Sequence, residues 1–206
     1  MGSRTEQRGA ATRSALLAAA REVFAVSGFA QASVTGIVAR AGASVGSLYH
    51  HFSGKAELYL ALFDEFQRRQ QERTGTAIRT ARDGGESDPM RLFIAAARAY
   101  LDGCLAEHDL SRLFTSGDGP PGFEIELRRS LREWARRNAA VLQATDEPSD
   151  EALVLVATSA MAGTVAELST IDDEERARRV SDEVLAILGS LEGFRRAQER
   201  PPARQT

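Results

Sequence analysis

The fold is decided by Ala41-Gly-Ala-Ser-Val-Gly-Ser-Leu-Tyr-His-His-Phe52, which directly follows Ser33-Val-Thr-Gly-Ile-Val-Ala-Arg40. Val34, Ile37 and Val38 recur at helical spacing, so the earlier segment is predicted to be a short helix with one apolar face. Ser33 can cap this helix because its hydroxyl accepts a backbone N–H of the first turn. Gly42 is predicted to end it, since glycine adopts a left-handed conformation without strain.

A second short helix is predicted to follow Ser44, its expected N-cap. Leu48 and Phe52 lie four residues apart and should face inward. The residues expected to face outward are Ser44, Val45, Ser47, Tyr49 and His50. Two short helices joined by a glycine-containing turn form a helix-turn-helix arrangement, whose second helix enters the major groove of DNA.

This pattern resembles the DNA-binding domain of the TetR family of bacterial transcription regulators. The resemblance covers about residues 10 to 62 and is only architectural beyond them. The matching residues are Leu16-Leu17, Ala19-Ala20, Phe24, Gly28-Phe29, Ile37, Ala41-Gly42, Ser44, Gly46, Leu48-Tyr49, His51-Phe52, Lys55 and Glu57-Leu58. Because several fixed offsets agree at once, chance is a poor explanation of the match.

The resemblance implies a set of DNA contacts around the second short helix. The expected contact residues are Ser33, Thr35, Ser44, Val45, Gly46, Ser47, Tyr49, His50 and Lys55. Small side chains would let the helix sit deep in the groove, and Lys55 would hold a phosphate beside the next helix. Position 45 departs from the family, which often has a long basic residue there. Val45 can contact a thymine methyl but cannot read guanine, so the operator sequence does not follow from the chain.

Other readings of these residues remain open. Tyr49 is alternatively a half-buried core residue, and Lys55 an ordinary solvated lysine. A metal site at His50 and His51 is not expected, because adjacent residues on a helix point about 100° apart. His51 is expected to pack or cap.

The composition indicates a helical, globular protein. Of its 206 residues, 43% are hydrophobic, 27% are charged and only six are proline. We predict an all-α fold of about nine helices. No uncharged apolar run of about 18 residues is present, so no membrane span is expected, and the N-terminus lacks the apolar core of a signal peptide. The single Cys104 precludes an intrachain disulfide and a cysteine-based zinc site, and favours a cytoplasmic location.

The net charge of −3 is unevenly distributed along the chain. Residues 1–70 contain eight Lys or Arg and five Asp or Glu, a net charge of +3. Residues 71–206 contain eighteen and twenty-four, a net charge of −6. A basic front and an acidic rear suit a protein that turns one end toward phosphates.

The predicted organisation has two domains. A three-helix, helix-turn-helix DNA-binding domain covers residues 10-56, and a helical bundle for effector binding and dimerisation covers residues 57-196. Residues 1-9 and 197-206 are expected to be flexible termini. The N-terminal arm contains Arg4 and Arg8, which would reach the neighbouring minor groove if the arm contributes to DNA binding.

Apolar stripes on the predicted fifth and seventh helices are the candidate lining of a ligand pocket. The lining residues are Phe93, Ala97, Tyr100, Cys104, Phe114, Trp134 and Asn138. The same stripes equally describe an ordinary core. Asn138, a carboxamide among apolar neighbours, either bonds the backbone or faces a ligand. An apolar lining favours a lipophilic or aromatic effector.

The last two predicted helices, about residues 150-170 and 172-192, indicate a homodimer. The first of them is apolar nearly all round and must therefore be buried on more than one side. The resemblance implies that both form a four-helix bundle with their symmetry mates, as a two-fold operator requires.

The expected function is that of a homodimeric transcription regulator. By resemblance it is a repressor, released from a palindromic DNA operator by a small lipophilic or aromatic effector. The alternative is an activator, or a regulator with a vestigial pocket that answers to a protein partner. An enzyme is a remote alternative, because the sequence contains no evident nucleophile–base pair, metal-ligand set or cofactor loop. We therefore assign no catalytic residue, metal or cofactor.

Overall fold

The computed structural model describes the backbone of residues 4–198 and the side chains of residues 6–191. Within that part of the chain every regular element is an α-helix and no strand is present, which confirms the all-α prediction. The helices are α1 (Arg4–Gln31), α2 (Val34–Ala41), α3 (Val45–His51), α4 (Lys55–Asp83), α5 (Pro89–Ala106), α6 (His108–Thr115), α7 (Phe123–Leu142), α8 (Pro148–Leu168) and α9 (Glu174–Gln198).

The described residues form two compact units. The first contains the chain up to Arg69 together with Glu107–Glu126, and the second contains Gln70–Ala106 together with the chain from Leu127 onward. This division differs from the predicted boundary after residue 56. The first unit includes the start of α4, all of α6 and the start of α7, because these segments pack with the helix-turn-helix region.

An aromatic cluster holds the first unit together. The fully buried ring of Tyr59 makes T-shaped contacts with Phe114 and Phe123, at centroid distances of 5.3 and 5.0 Å. Phe63 contacts the same two rings at 5.1 and 5.0 Å. The Tyr59 hydroxyl donates to the carbonyl of Leu113 at 3.1 Å. Phe114, which was predicted to line the effector pocket, is buried in this cluster of the first unit.

Helix α1 changes direction at Gly28. This residue has φ 72° and ψ 173°, a conformation that is essentially restricted to glycine. The carboxylate of Asp118 approaches the same point and accepts the backbone N–H of Ala30 at 3.1 Å. The predicted helix end at Gly28 is therefore a kink within α1.

The ends of the described chain differ from the predicted flexible termini. Residues 4–9 are helical because α1 begins at Arg4, and α9 continues through Gln198. Residues 1–3 and 199–206, which complete the predicted flexible termini, lie outside the described residues.

Ion pairs connect α6 to α1 and α4 within the first unit. The guanidinium of Arg21 donates to both carboxylate oxygens of Asp109, at 2.6 and 2.7 Å. Arg69 donates through Nε to Glu107 at 2.9 Å. Burial raises the pKa of Asp109, but the hydrogen bonds and the charge of Arg21 outweigh it and hold that pKa below its ordinary value.

The lowered pKa of Asp109 predicts an acid-sensitive contribution to stability. A carboxylate of this kind stabilises the fold above its unfolded pKa of about 3.9, and the contribution is lost as pH falls through the folded pKa. We expect Asp109→Asn to lower the free energy of unfolding by about 1 kcal/mol at pH 7, discounted for its partial exposure. In urea unfolding, the free energy of unfolding should decrease less between pH 7 and pH 3 in the variant than in wild type. The control is the same substitution at Asp182, an exposed aspartate that pairs with Arg98. If Asp109→Asn lost as much stability between pH 7 and pH 3 as wild type, the stabilising role of the Asp109 carboxylate would be contradicted.

In the second unit, α5 and α8 both pack against α9. The buried core of these helices includes Met90, Leu101, Met161 and Leu188. Helix α8 also has the length and composition of a membrane-spanning helix, which the sequence expectation did not foresee. Helices in the core of water-soluble proteins meet the same two criteria, so this property alone decides nothing.

Candidate functional site

Two serine caps and one glycine fix the helix-turn-helix geometry. The Ser33 hydroxyl accepts the N–H of Gly36 at 3.0 Å, and the Ser44 hydroxyl accepts the N–H of Ser47 at 3.0 Å. Gly42 is left-handed, with φ 62° and ψ 30°. These features confirm the predicted caps and the predicted end of α2.

Helix α3 separates a buried face from an exposed one. Leu48 is fully buried, and Phe52 at the C-cap is buried with it. On the outer face Val45 is 42% exposed and Tyr49 is 57% exposed, so Tyr49 is not a core residue. The other predicted contact residues on α2 and α3 and their caps share this exposure, with only Ser47 half-buried; they are Ser33, Thr35, Ser44, Gly46, Ser47 and His50.

The hydroxyl groups on this face have a structural task. Ser44 and Ser47 lie 2.9 Å apart at their hydroxyls, and Ser33 and Thr35 lie 3.1 Å apart. They thereby hold the first turns of α3 and α2.

His50 and His51 are the last two residues of α3. Their rings meet edge to face at 4.9 Å, and His51 is half-buried next to Phe52. Among the described residues, no group of three or more potential ligands could hold a metal ion.

Lys55 has a different role from the predicted one. Its ammonium group donates to the backbone carbonyls of Phe29, Ala30 and Ala32 at 2.8, 3.1 and 3.0 Å. It also lies 4.5 Å from the centre of the Phe29 ring. Since an ammonium group has three N–H donors, all of them are engaged. The structure therefore does not support the predicted phosphate contact, and assigns Lys55 to capping the C-terminal end of α1, where carbonyls lack helical partners.

This role predicts a loss of stability in Lys55→Met. The variant keeps much of the apolar stem but removes three charge-assisted hydrogen bonds, so we expect the free energy of unfolding to fall by about 2 kcal/mol. The slope of DNA affinity against salt concentration should stay at the wild-type value, because no phosphate contact is lost. Urea unfolding and a binding series at several salt concentrations would measure both. Unchanged stability with a reduced salt slope would restore the phosphate role.

The nearby arginines are also engaged. Arg13 lies 5.2 Å from the centre of the Phe52 ring and 3.6 Å from Glu65, and Arg40 forms an ion pair with Glu22. The outer face of α2 and α3 thus presents mainly hydroxyl, imidazole and methyl groups. Sequence reasoning did not identify these partners, because nothing local links Arg13 to Phe52 or Arg40 to Glu22.

Six of the seven predicted pocket residues belong to the second unit, where α5 and α7 carry them. Phe93, Ala97, Cys104 and Asn138 are buried, whereas Tyr100 and Trp134 are half-buried. The Tyr100 and Trp134 rings stack at 4.7 Å with an interplanar angle of 26°. The seventh, Phe114, belongs to the aromatic cluster of the first unit.

Asn138 has a partner that neither of the two predicted options named. Its Nδ2 donates to the hydroxyl of Thr158 on α8 at 2.9 Å. Gln70 on α4, which the sequence analysis also missed, lies beside Cys104 at 3.7 Å. Its position could have been found, because Gln70 continues the buried stripe of Phe63 and Phe66 at helical spacing.

Comparison with known proteins places this geometry in a family. Residues 16–62 match the family model described as bacterial regulatory proteins, tetR family. The transcriptional activator FasR of Mycolicibacterium smegmatis is 38% identical over 97 residues, which span 47% of this chain and 41% of that activator. The match therefore covers less than half of this relative's length.

Solved structures extend the similarity to nearly the whole fold. A transcriptional regulator from Rhodococcus sp. Rha1 superimposes with a TM-score of 0.69 at 24% identity, over 88% of this chain and 96% of that one. The regulator FadR from Bacillus subtilis, in complex with stearoyl-CoA, has a TM-score of 0.69 at 17% identity, over 85% and 97% of the two chains. Residues 16–62 thus match the tetR family of bacterial regulatory proteins, and the chain shares its overall fold with these solved regulators.

Proposed function

We propose that the protein is a DNA-binding transcription regulator that reads its operator with the exposed face of α3. The observation that carries this proposal is the combination of a buried Leu48 with an exposed Val45 and Tyr49 on a capped seven-residue helix. The small residues between them let such a helix approach base edges closely. Ser33, Thr35 and His50 are proposed to contact the phosphate backbone.

A regulator that presents two DNA-binding domains to a palindromic operator must be a dimer. We assign the contact between its two subunits to α8 and α9. Leu155 and Val156 on α8 are 67% and 51% exposed, and Ile187 on α9 is also exposed, although all three are large apolar residues. A second copy of the chain would cover these side chains. The α3 helices of the two subunits would then lie about 34–36 Å apart on a palindromic operator, a distance of one turn of DNA.

This assignment predicts the effect of a charge on α8. Leu155→Glu should convert the dimer to a monomer, because a carboxylate buried at the interface without a partner is strongly unfavourable. Sedimentation velocity would measure the change. Val26→Glu, at another exposed apolar position, is the control. A variant Leu155→Glu that remains dimeric would place the interface elsewhere.

We propose that a lipophilic effector binds the second unit and changes the spacing of the two DNA-binding domains, so that they no longer fit the operator. The stacked Tyr100 and Trp134 and the buried apolar residues of α5 support this class of ligand. The FadR complex with stearoyl-CoA is an example of such a ligand on a similar fold. A tenfold loss of operator affinity needs about 1.4 kcal/mol of differential effector binding between the two states. We also propose a cytoplasmic location, where operator DNA is found.

The sign of regulation has two candidates. Repression released by effector is our main proposal, and activation is the second because FasR is named as an activator. A regulator answering to a protein partner remains a further candidate.

The test is a gel shift of the purified protein on the DNA upstream of its own gene, with a scrambled sequence as control. Saturable binding to the natural sequence alone would support the proposed function. Equal binding to both sequences would contradict it, because only phosphates would then be read. A reporter fused to the same DNA, with and without the regulator, separates repression from activation.

A further inference from the structure

The helix-turn-helix segment has few cationic groups to offer to phosphates. Residues 23–56 contain no Asp or Glu, and their only lysine and arginine are Lys55 and Arg40. Three backbone carbonyls hold the Lys55 ammonium group, and Arg40 is in an ion pair. The other side chains of this segment that can become positive are His50 and His51 at the end of α3. Since binding to DNA depends on cationic contacts with phosphates, their source requires an explanation.

Helix α1 supplies a further cation. The side chain of Arg8 is exposed, and its guanidinium has no hydrogen-bond or ion-pair partner within the described part of the chain. The two later arginines of α1 are engaged, Arg13 with Glu65 and Arg21 with Asp109. Arg8 is therefore the α1 arginine that is available to an anion from outside the chain.

Helix α1 meets α3 beside the two histidines. A Cβ added to Gly9, the residue after Arg8, would stand 3.8 Å from Cε1 of His51. The His51 ring lies 4.9 Å from the ring of His50, which is exposed. The junction of α1 and α3 thus brings a guanidinium without a partner and an exposed imidazole to neighbouring positions of the first unit.

The other charged groups around this junction are already paired. The helices that pack against α3 are α1 and α2. Apart from Arg8, their described charged side chains are Glu6, Arg13, Arg21, Glu22 and Arg40, and each of them has a partner. At the start of α4, Lys55 and Glu57 bond to backbone groups. Neither imidazole pairs with a carboxylate of the described residues, so an anion that balances its charge must come from outside the chain.

A phosphate at this junction would couple DNA binding to protonation. Histidine is the side chain that ordinarily changes its charge between about pH 5 and 8. Two imidazolium groups 4.9 Å apart would repel each other, so the pair takes up one proton more readily than two. A phosphate oxygen accepts the N–H of an imidazolium and favours that charged form. Binding of the phosphate therefore takes up a proton, and the affinity rises as the pH falls.

We propose that Arg8 and His50 form a phosphate-binding site at the junction of α1 and α3. A phosphate of the DNA backbone is held there by the guanidinium and by the protonated imidazole of His50. His51 is a positioning residue, which stands between α1 and the His50 ring. The site supplies the cationic contact that Lys55 does not make, and DNA binding takes up about one proton for each subunit. This inference rests on the proposed function, since it takes α3 to be the helix that lies on the DNA.

The experiment measures affinity for the upstream DNA and for a scrambled duplex by fluorescence anisotropy, at pH 6 and pH 8 over a series of salt concentrations. The test variants are Arg8→Gln and His50→Gln, which keep N–H donors and remove the charge. One control is His108→Gln, at the chain's one histidine outside α3. The other is Arg82→Gln, at an exposed arginine of the second unit. Circular dichroism at both pH values checks that each variant is folded.

We expect wild type to bind both duplexes about 30-fold more tightly at pH 6 than at pH 8, because a phosphate that favours the imidazolium tenfold acts in both subunits. His50→Gln should match wild type at pH 8 and lose this rise. Arg8→Gln should keep the rise but reduce the slope of log affinity against log salt concentration by about 1.8, for one phosphate contact in each subunit. Both control variants should behave as wild type.

Four results would overturn the inference. They are equal affinity of wild type at the two pH values, a pH response retained in His50→Gln, a pH response lost in His51→Gln alone, and an unchanged salt slope in Arg8→Gln. Specific binding to the upstream DNA without these pH and salt effects would leave the proposed function standing and remove this inference alone. The same effects on both duplexes, without preference for the upstream sequence, would do the reverse.

Discussion

Replacement of Gly28 by alanine is expected to lower the free energy of unfolding by about 3 kcal/mol. The same replacement at Gly42 is expected to have a smaller effect. At φ 72° and ψ 173° an alanine is strained by about 1–3 kcal/mol. Its Cβ would also lie 2.3 Å from Oδ2 of Asp118 and displace the carboxylate that accepts the N–H of Ala30. Loss of that hydrogen bond adds about 1 kcal/mol.

A matched substitution isolates the steric part. Gly42→Ala also places alanine at positive φ, 62°, but nothing lies within 4 Å of its Cβ. We expect it to cost only the strain, about 1–2 kcal/mol. Urea unfolding followed by circular dichroism would compare the two variants.

A double substitution tests the contact with Asp118. The contact is tested as the cause of the larger cost of Gly28→Ala relative to Gly42→Ala. If it is the cause, the double variant Gly28→Ala, Asp118→Ala should lose less stability than the two single variants added together, because the clash and the lost hydrogen bond are no longer counted separately. Additive costs in this cycle, or equal costs for the two glycines, would show that the approach of Asp118 is unimportant.

Tyr49→Ala is expected to weaken binding to the upstream DNA by about 100-fold while leaving the fold intact. Loss of one recognition contact costs about 1.4 kcal/mol, or tenfold, at each head, and a dimer loses it twice. Because Tyr49 is 57% exposed, its removal should change the free energy of unfolding by no more than about 0.5 kcal/mol. Gel shifts and urea unfolding on the same preparations measure the two effects.

Two controls distinguish recognition from folding. Val26→Ala, at a residue of the first unit that is 90% exposed, should leave both DNA affinity and stability at wild-type values. Leu48→Ala should lower stability by about 2–5 kcal/mol and lower DNA binding through unfolding, because Leu48 is fully buried. Wild-type affinity in Tyr49→Ala would mean that α3 does not read the operator through this side chain.

Local chemistry made much of the first unit predictable. The caps at Ser33 and Ser44, the left-handed Gly42 and the inward direction of Leu48 all depend on residues within one or two helical turns. Such features follow from short spacings, because hydrogen-bond geometry and helical period act over that range. The family resemblance rested on the same segment.

Side chains from distant segments decided the rest. Phe114 was grouped with the residues of the fifth and seventh helices, whereas its ring is buried against Tyr59 and Phe63 in the first unit. Lys55 reached the end of α1 instead of a phosphate, across more than twenty residues of sequence. The partner of the Gly28 region, Asp118, lies 88 residues from Ala30.

The sequence by itself determined that the fold is all-α, where the two short helices begin and end, and which face of α3 is exposed. Each of these depends on neighbours along the chain. Tertiary structure alone decided the limits of the two units, the capping role of Lys55 and the approach of α1 to His51 at Gly9. The physical reason is that burial and hydrogen-bond partnership belong to groups brought together in space, and no periodicity in the sequence records which groups will meet.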